Sequence, residues 1–151
     1  MATSIVVNSE NWPVNVVLVD GENGEPLDRA ATETLSAALH SFTTRREPYA
    51  NIIDLTRCGG VPASERQFIA ERFNLHMDDY RRYLVAVAVI LRSTLMRGTL
   101  TAIGWVHRYP SPIAFVANID EAEENLKGRL AARGIRWSGL SPADRFVFRQ
   151  R

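Results

Sequence analysis

The sequence predicts an α/β domain: a single mixed, mostly parallel sheet of about five strands with four helices. Three observations carry this expectation. Short β-branched runs alternate along the chain with stretches whose apolar residues recur every three or four positions. Leu84-Val-Ala-Val-Ala-Val-Ile-Leu91 is apolar throughout, as in a strand covered on both faces, and so central and parallel to its neighbours. With 151 residues, 46% of them hydrophobic, the chain can build one core and leaves little room for a second.

The elements follow in order. Ser4-Ile-Val-Val-Asn8 reads as a strand, and Trp12-Pro13 separates it from a second, Val14-Asn-Val-Val-Leu-Val19, which Asp20-Gly21 and Asn23-Gly24 end. The two should pair antiparallel at a sheet edge, where Pro13 is tolerated. Leu27 to about Arg46 is expected to be helical, with Ala31, Leu35, Ala38, Leu39 and Phe42 on one face and Arg29, Glu33, His40 and Thr43 mostly opposite; Pro48 ends it. Tyr49-Ala-Asn-Ile-Ile-Asp-Leu55 is the next strand, broken by Cys58-Gly-Gly60. A helix should start between Pro62 and Ser64 and run to about Arg82, with Ser64 as its N-cap and Gln67 completing a capping box. Phe68, Ile69, Phe73, His76, Met77 and Tyr80 form its apolar stripe. After the central strand, a third helix is expected from about Ser93 to His107 on Leu95, Thr99, Ala102, Ile103 and Val106. Ile113-Ala-Phe-Val-Ala117 is the last strand. Asp120 and Glu123 are placed to cap a final helix reaching Arg133, with Leu126 and Leu130 inward and a Glu123–Lys127 pair four residues apart. Residues 1–133 form the α/β domain; residues 134–151, with Trp137, Phe146, Phe148 and four arginines, form a tail expected to dock at least partly on it.

Composition narrows the function classes. Lys and Arg total 18 against 17 Asp and Glu, a net charge of +1 that leaves no electrostatic footprint for general nucleic-acid binding. The longest apolar run has eight residues, whereas a bilayer-spanning helix needs about 20. The N-terminus lacks a basic segment followed by an apolar one, so no signal peptide is expected. Cys58 is the one cysteine, which fits a reducing compartment. The expectation is a cytoplasmic protein without a membrane span.

Chemistry is sparse. His40, His76 and His107 have no metal-ligand spacing to one another or to Cys58, so neither a metal nor a cofactor is expected. His40 lies on a polar face and reads as solvated; His76 lies on an apolar stripe and reads as a core-margin histidine. Cys58 precedes a helix start, where a thiol can be activated, but no base accompanies it. Cys58-Gly-Gly-Val-Pro-Ala-Ser64 has the glycines of an anion loop without a phosphate-loop signature. Asp54 and Thr56 end a strand at the edge where α/β ligands gather. On the third helix Arg97, Gly98, Thr101, Trp105 and Arg108 lie off the core stripe and mark an interface that a dimer mate, another partner or the tail would cover.

The order of elements, together with Asp54-Leu-Thr-Arg-Cys-Gly-Gly-Val-Pro-Ala-Ser64, resembles the STAS domain of bacterial anti-sigma-factor antagonists, a fold similar also to the lipid-binding Sec14-like group. Asp54-Leu55-Thr56 matches the family's Asp-Leu-Ser or Asp-Leu-Thr strand end. Where the family carries Asp-Ser-Ser-Gly or Asp-Ser-Thr-Gly at the helix start, this chain has Pro62-Ala-Ser-Glu65 after a longer loop. The resemblance implies a non-enzymatic interaction or regulatory module of a bacterial signalling or assembly system. It implies a protein partner at Asp54, Thr56, Arg57, Gly59, Gly60 and Ser64, with Ser64 or Thr56 as phospho-acceptor. The alternatives are a small-ligand or nucleotide-binding domain using the loop 56–64, and an enzyme using Cys58 or His76.

Overall fold

The structure is a computed structural model that describes residues 3–94, 97 and 109–151. Five strands form one sheet in the order of the chain, β1 (Thr3–Asn8), β2 (Val14–Gly21), β3 (Tyr49–Arg57), β4 (Leu84–Ile90) and β5 (Ile113–Val116). β1 pairs antiparallel with β2 at the edge, and all other pairs are parallel. β4 has a parallel neighbour on each side and is buried over its whole length, as its unbroken apolar run requires.

Five α-helices lie within the described residues, α1 (Arg29–Ser41), α2 (Ala63–Leu75), α3 (Met77–Tyr83), α4 (Ile119–Ala132) and α5 (Pro142–Arg149); the third of the four expected helices falls mostly outside them, so two of the five are additional. The extra two have local causes. The helix expected to run from Ala63 to Arg82 breaks at His76, whose backbone (φ −116°, ψ 26°) leaves the helical region. The tail supplies α5, capped by Ser141, whose hydroxyl oxygen accepts from the Asp144 N–H at 3.2 Å. The first helix ends earlier than expected. α1 stops at Ser41, a 3₁₀ turn (Phe42–Arg45) follows, and Arg46 closes it in the left-handed region. Thr43, expected on the polar face, is buried in that turn.

Two further cap assignments change. Ser64 is not the N-cap of α2: Pro62 holds that place, Ser64 is the second residue of the helix and exposed, and the Gln67 amide donates to Glu71 instead of closing a box. Asp120 is not the cap of α4 either. Asn118 is, accepting from the Glu121 N–H at 2.9 Å, while the Glu121 carboxylate accepts from the Ala117 N–H. Glu123 is instead buried and paired with Arg145 at 2.9 Å; its expected partner Lys127 stands at 4.0 Å.

The sheet separates two cores. Leu27, Leu35, Leu39 and Tyr80 pack with Val17, Val19, Ile53 and Val89 on the face covered by α1, α2 and α3. Ile119, Ala122, Leu126 and Leu130 of α4 pack with Val14, Val16, Ile52, Ala88 and Ile90 on the other. Each inward residue alternates with one belonging to the opposite core, the two-residue period of a strand buried on both faces. No helix among the described residues is long and apolar enough to cross a membrane.

The tail lies on this frame. Leu140 is buried. Asp144 accepts from Asn8 at 3.2 Å and from Asn11 at 2.7 Å, and Arg145 reaches Glu123 with two N–H groups. Gly98, Thr101, Trp105 and Arg108, together with the expected apolar stripe of the third helix, lie outside the described residues. Arg97 is described: its guanidinium donates to the carbonyls of Leu91 and Arg92 just beyond β4.

Candidate functional site

β3 delivers Asp54, Leu55 and Thr56 to the carboxyl edge of the parallel strands. Asp54 is 1% exposed and fully engaged by the chain itself. One oxygen accepts from the Thr56 N–H at 2.8 Å, and the other accepts from Arg151 Nε at 2.8 Å. Arg151 is held in turn. Its guanidinium lies 3.8 Å from Asp20 and donates to the Val19 carbonyl, and its backbone carbonyl accepts from Arg92 at 2.6 Å. The tail therefore fills the strand-end position with a cation of its own. Thr56 is half-buried, and its hydroxyl has no partner and is shielded from solvent.

The segment after β3 is exposed but fixed. Cys58 N–H donates to the Leu55 carbonyl, Gly59 N–H to Glu25, and Leu27 N–H to Gly60, so residues 58–60 are zipped to the loop ahead of α1. The glycines follow from this zipper. A Cβ on Gly59 would stand 1.9 Å from the Gly24 carbonyl oxygen, and Gly60 has a φ of 143°, where L side chains are strained. Arg57, Gly59 and Ser64 are exposed on the result. Arg57 makes a 3.4 Å surface contact with Asp20.

Behind Ser64, the buried Glu65 pairs with Arg29 at 2.6 Å. The Arg29 guanidinium holds the Glu65 carboxyl below the usual carboxylate range against its burial. Arg29 also lies 4.5 Å over the Phe68 ring, tying α1 to α2. Of the two candidate phospho-acceptors, only Ser64 presents its hydroxyl at the surface.

Cys58 is half-buried, and its thiol donates to the Gly60 carbonyl at 3.2 Å. Burial raises its pKa above the ordinary value, opposed by the backbone hydrogen bonds of Gly60 and Leu27. The thiol is therefore protonated near neutral pH, when the thiolate is the reactive form. Iodoacetamide is expected to alkylate Cys58 more slowly in the folded chain than in urea. Equal rates followed by mass spectrometry would show an activated thiol.

His76, expected at the core margin, is half-buried, and so is His40, expected on a solvated face. Their rings stack, with centroids 3.6 Å apart and planes at 16°, and His40 Nε2 lies 3.3 Å from Asp79 Oδ2. Residues on α1, at the α2–α3 break and on α3 meet there; only the tertiary packing of the helices brings them together.

Beneath α2 and α3 is a cavity of about 110 Å³, lined almost wholly by apolar groups, among them Leu27, Ile53, Leu55, Phe73 and Phe115. Asn51 is one of its few polar neighbours.

No protein-family model matches the chain, and no curated protein matches it. Solved structures do. An uncharacterized protein of the DUF3478 family from Shewanella loihica PV-4, with a SpoIIAA-like fold, superposes with a TM-score of 0.57 at 16% identity, over 83% of this chain and 94% of that one. An anti-sigma factor antagonist from Mycobacterium paratuberculosis superposes with a TM-score of 0.55 at 17% identity, over 83% and 95%. The edge hairpin, the parallel strands in chain order and the helices on both faces are thus those of the STAS, or SpoIIAA-like, fold.

Proposed function

We propose that this chain is a non-enzymatic interaction module of a bacterial signalling or assembly system, cytoplasmic, and that it meets a protein partner through the exposed segment from Arg57 to Ser64. The observation that supports this most is that the segment is both exposed and pre-formed: its backbone is zipped to residues 25–27. A surface already ordered has little conformational entropy to lose on docking. The carboxylate beside it, Asp54, is engaged by Arg151 and Thr56, which leaves the outer face, not the strand-end acid, for contact. One structural neighbour is named as an anti-sigma factor antagonist, which is work of this kind.

The test is co-purification with mass spectrometry, followed by titration of the purified partner. Arg57→Glu is expected to weaken binding at least about tenfold, the effect of removing a good polar anchor, with circular dichroism unchanged. Failure to recover a partner that binds the purified chain overturns the reading, and so does equal affinity for the variant. The cavity of about 110 Å³ supports a second reading, a small apolar ligand under Leu55 and Val61. A thermal shift with short fatty acids, none with nucleotides, and no protein partner would favour it.

A further inference from the structure

Among the described residues, one cluster has the composition of a metal site: His40, His76 and Asp79, whose donor atoms all lie within 4.8 Å of one another. The three come from separate pieces of helix. His40 is in the last turn of α1, His76 is the residue at which α2 gives way to α3, and Asp79 is in the first turn of α3. His76 and Asp79 are three apart, so they share a side of the junction.

The spacing suits one ion. With metal–ligand bonds of about 2.0–2.2 Å, tetrahedral donors sit about 3.3 Å from each other. His40 Nε2 and Asp79 Oδ2 are already 3.3 Å apart. The His76 ring is stacked on the His40 ring, at 3.6 Å with the planes 16° apart; an imidazole binds an ion in its own ring plane, so His76 has to turn out of the stack to bring in the third donor. Tyr80, 2% exposed, packs T-shaped against the His40 ring with centroids 6.2 Å apart.

We propose that His40, His76 and Asp79 bind a divalent transition-metal ion of the Zn²⁺ type, clipping the end of α1 to the α2–α3 junction. Two imidazoles and one carboxylate select zinc, copper or nickel over calcium or magnesium, which take oxygen ligands. The clip acts at the end of α2 away from its ion pair to α1. Glu65 is the one buried residue of α2, and its pair with Arg29 ties the start of that helix to α1. At the other end, beside the Phe73–Tyr80 ring contact, the histidine cluster is the corresponding tie.

The experiment uses the untagged full chain, stripped with chelator and dialysed, titrated with Zn²⁺ alone by calorimetry and with Co²⁺ by visible absorption. The expected result is one ion per chain and a Zn²⁺-dependent rise in melting temperature. His40→Ala and Asp79→Asn are each expected to weaken binding by more than about 100-fold, beyond what loss of an outer-shell group costs. Cys58→Ser and His107→Ala are expected to leave binding unchanged. If either helix variant melts early, Co²⁺ absorption of the still-folded fraction at low temperature decides. No stoichiometric binding by the wild-type chain overturns the proposal, as does binding that survives His40→Ala or is lost with His107→Ala. In any of these cases the trio is an ion pair beside a stacked ring.

Discussion

Replacing Arg151 by alanine is expected to destabilise the fold by about 3 kcal/mol, measured by urea unfolding, because it leaves a buried carboxylate without its cation. Asp54 is 1% exposed, and the Arg151 side chain 7%. Removing one member of a buried pair costs far more than the pair itself contributes, since the remaining charge has lost both its partner and its water. The Thr56 N–H still serves one Asp54 oxygen after the substitution, which keeps the effect at the lower end of the range. Adding Asp54→Asn should return most of the loss, because a neutral amide has no charge to compensate. If Arg151→Ala costs no more than a surface ion pair, under about 1 kcal/mol, then the tail does not plug the strand end in solution. The tail should not be released altogether by this change, because Asp144 keeps its bonds to Asn8 and Asn11, and Arg145 keeps Glu123.

That pair also shows where sequence reading stops. Periodicity and turn residues are local, and they placed all five strands and the buried face of α1, since Ala31, Leu35 and Leu39 all turn inward. The apolar run of β4 indicated an interior strand for the same reason, and β4 lies between β3 and β5. Asp54 and Arg151 are 97 positions apart, so no spacing rule connects them, and Asp54 was visible only as an acid at a strand end. The break at His76 left no mark because Phe73, His76, Met77 and Tyr80 keep helical spacing through it, with no proline or glycine in between. The caps were misplaced by two residues because Asn118 and Asp120 are equally good capping types, and the end of β5 at Val116 decides between them. The loop 56–64 was legible from its glycines. What fixes it, the backbone zipper to residues 25–27, was not.

A second large effect is expected in the middle of the sheet. Asn15 and Asn51 interrupt the apolar runs of residues 14–19 and 49–53, are 0% and 1% exposed, and are direct neighbours in the parallel β2–β3 register. Asn15 Nδ2 donates to Asn51 Oδ1 at 3.2 Å, while Asn15 Oδ1 has no partner. Two buried amides thus depend largely on each other, on the face covered by α1. Asn51→Val is expected to cost about 1–3 kcal/mol, the penalty for leaving the Asn15 amide with no acceptor in a dry site. Space does not limit the exchange, since Asn51 borders the cavity of about 110 Å³. The double change Asn15→Val and Asn51→Val removes both amides at once. It is expected to be at least as stable as wild type, because β-branched apolar residues suit a doubly covered strand and nothing polar is then left unpaired. Urea unfolding of the two single variants and the double closes the cycle, with a coupling of at least about 1 kcal/mol expected for residues in contact. Additive losses would show that the amides do not depend on each other, and that each finds its own partner in the folded chain.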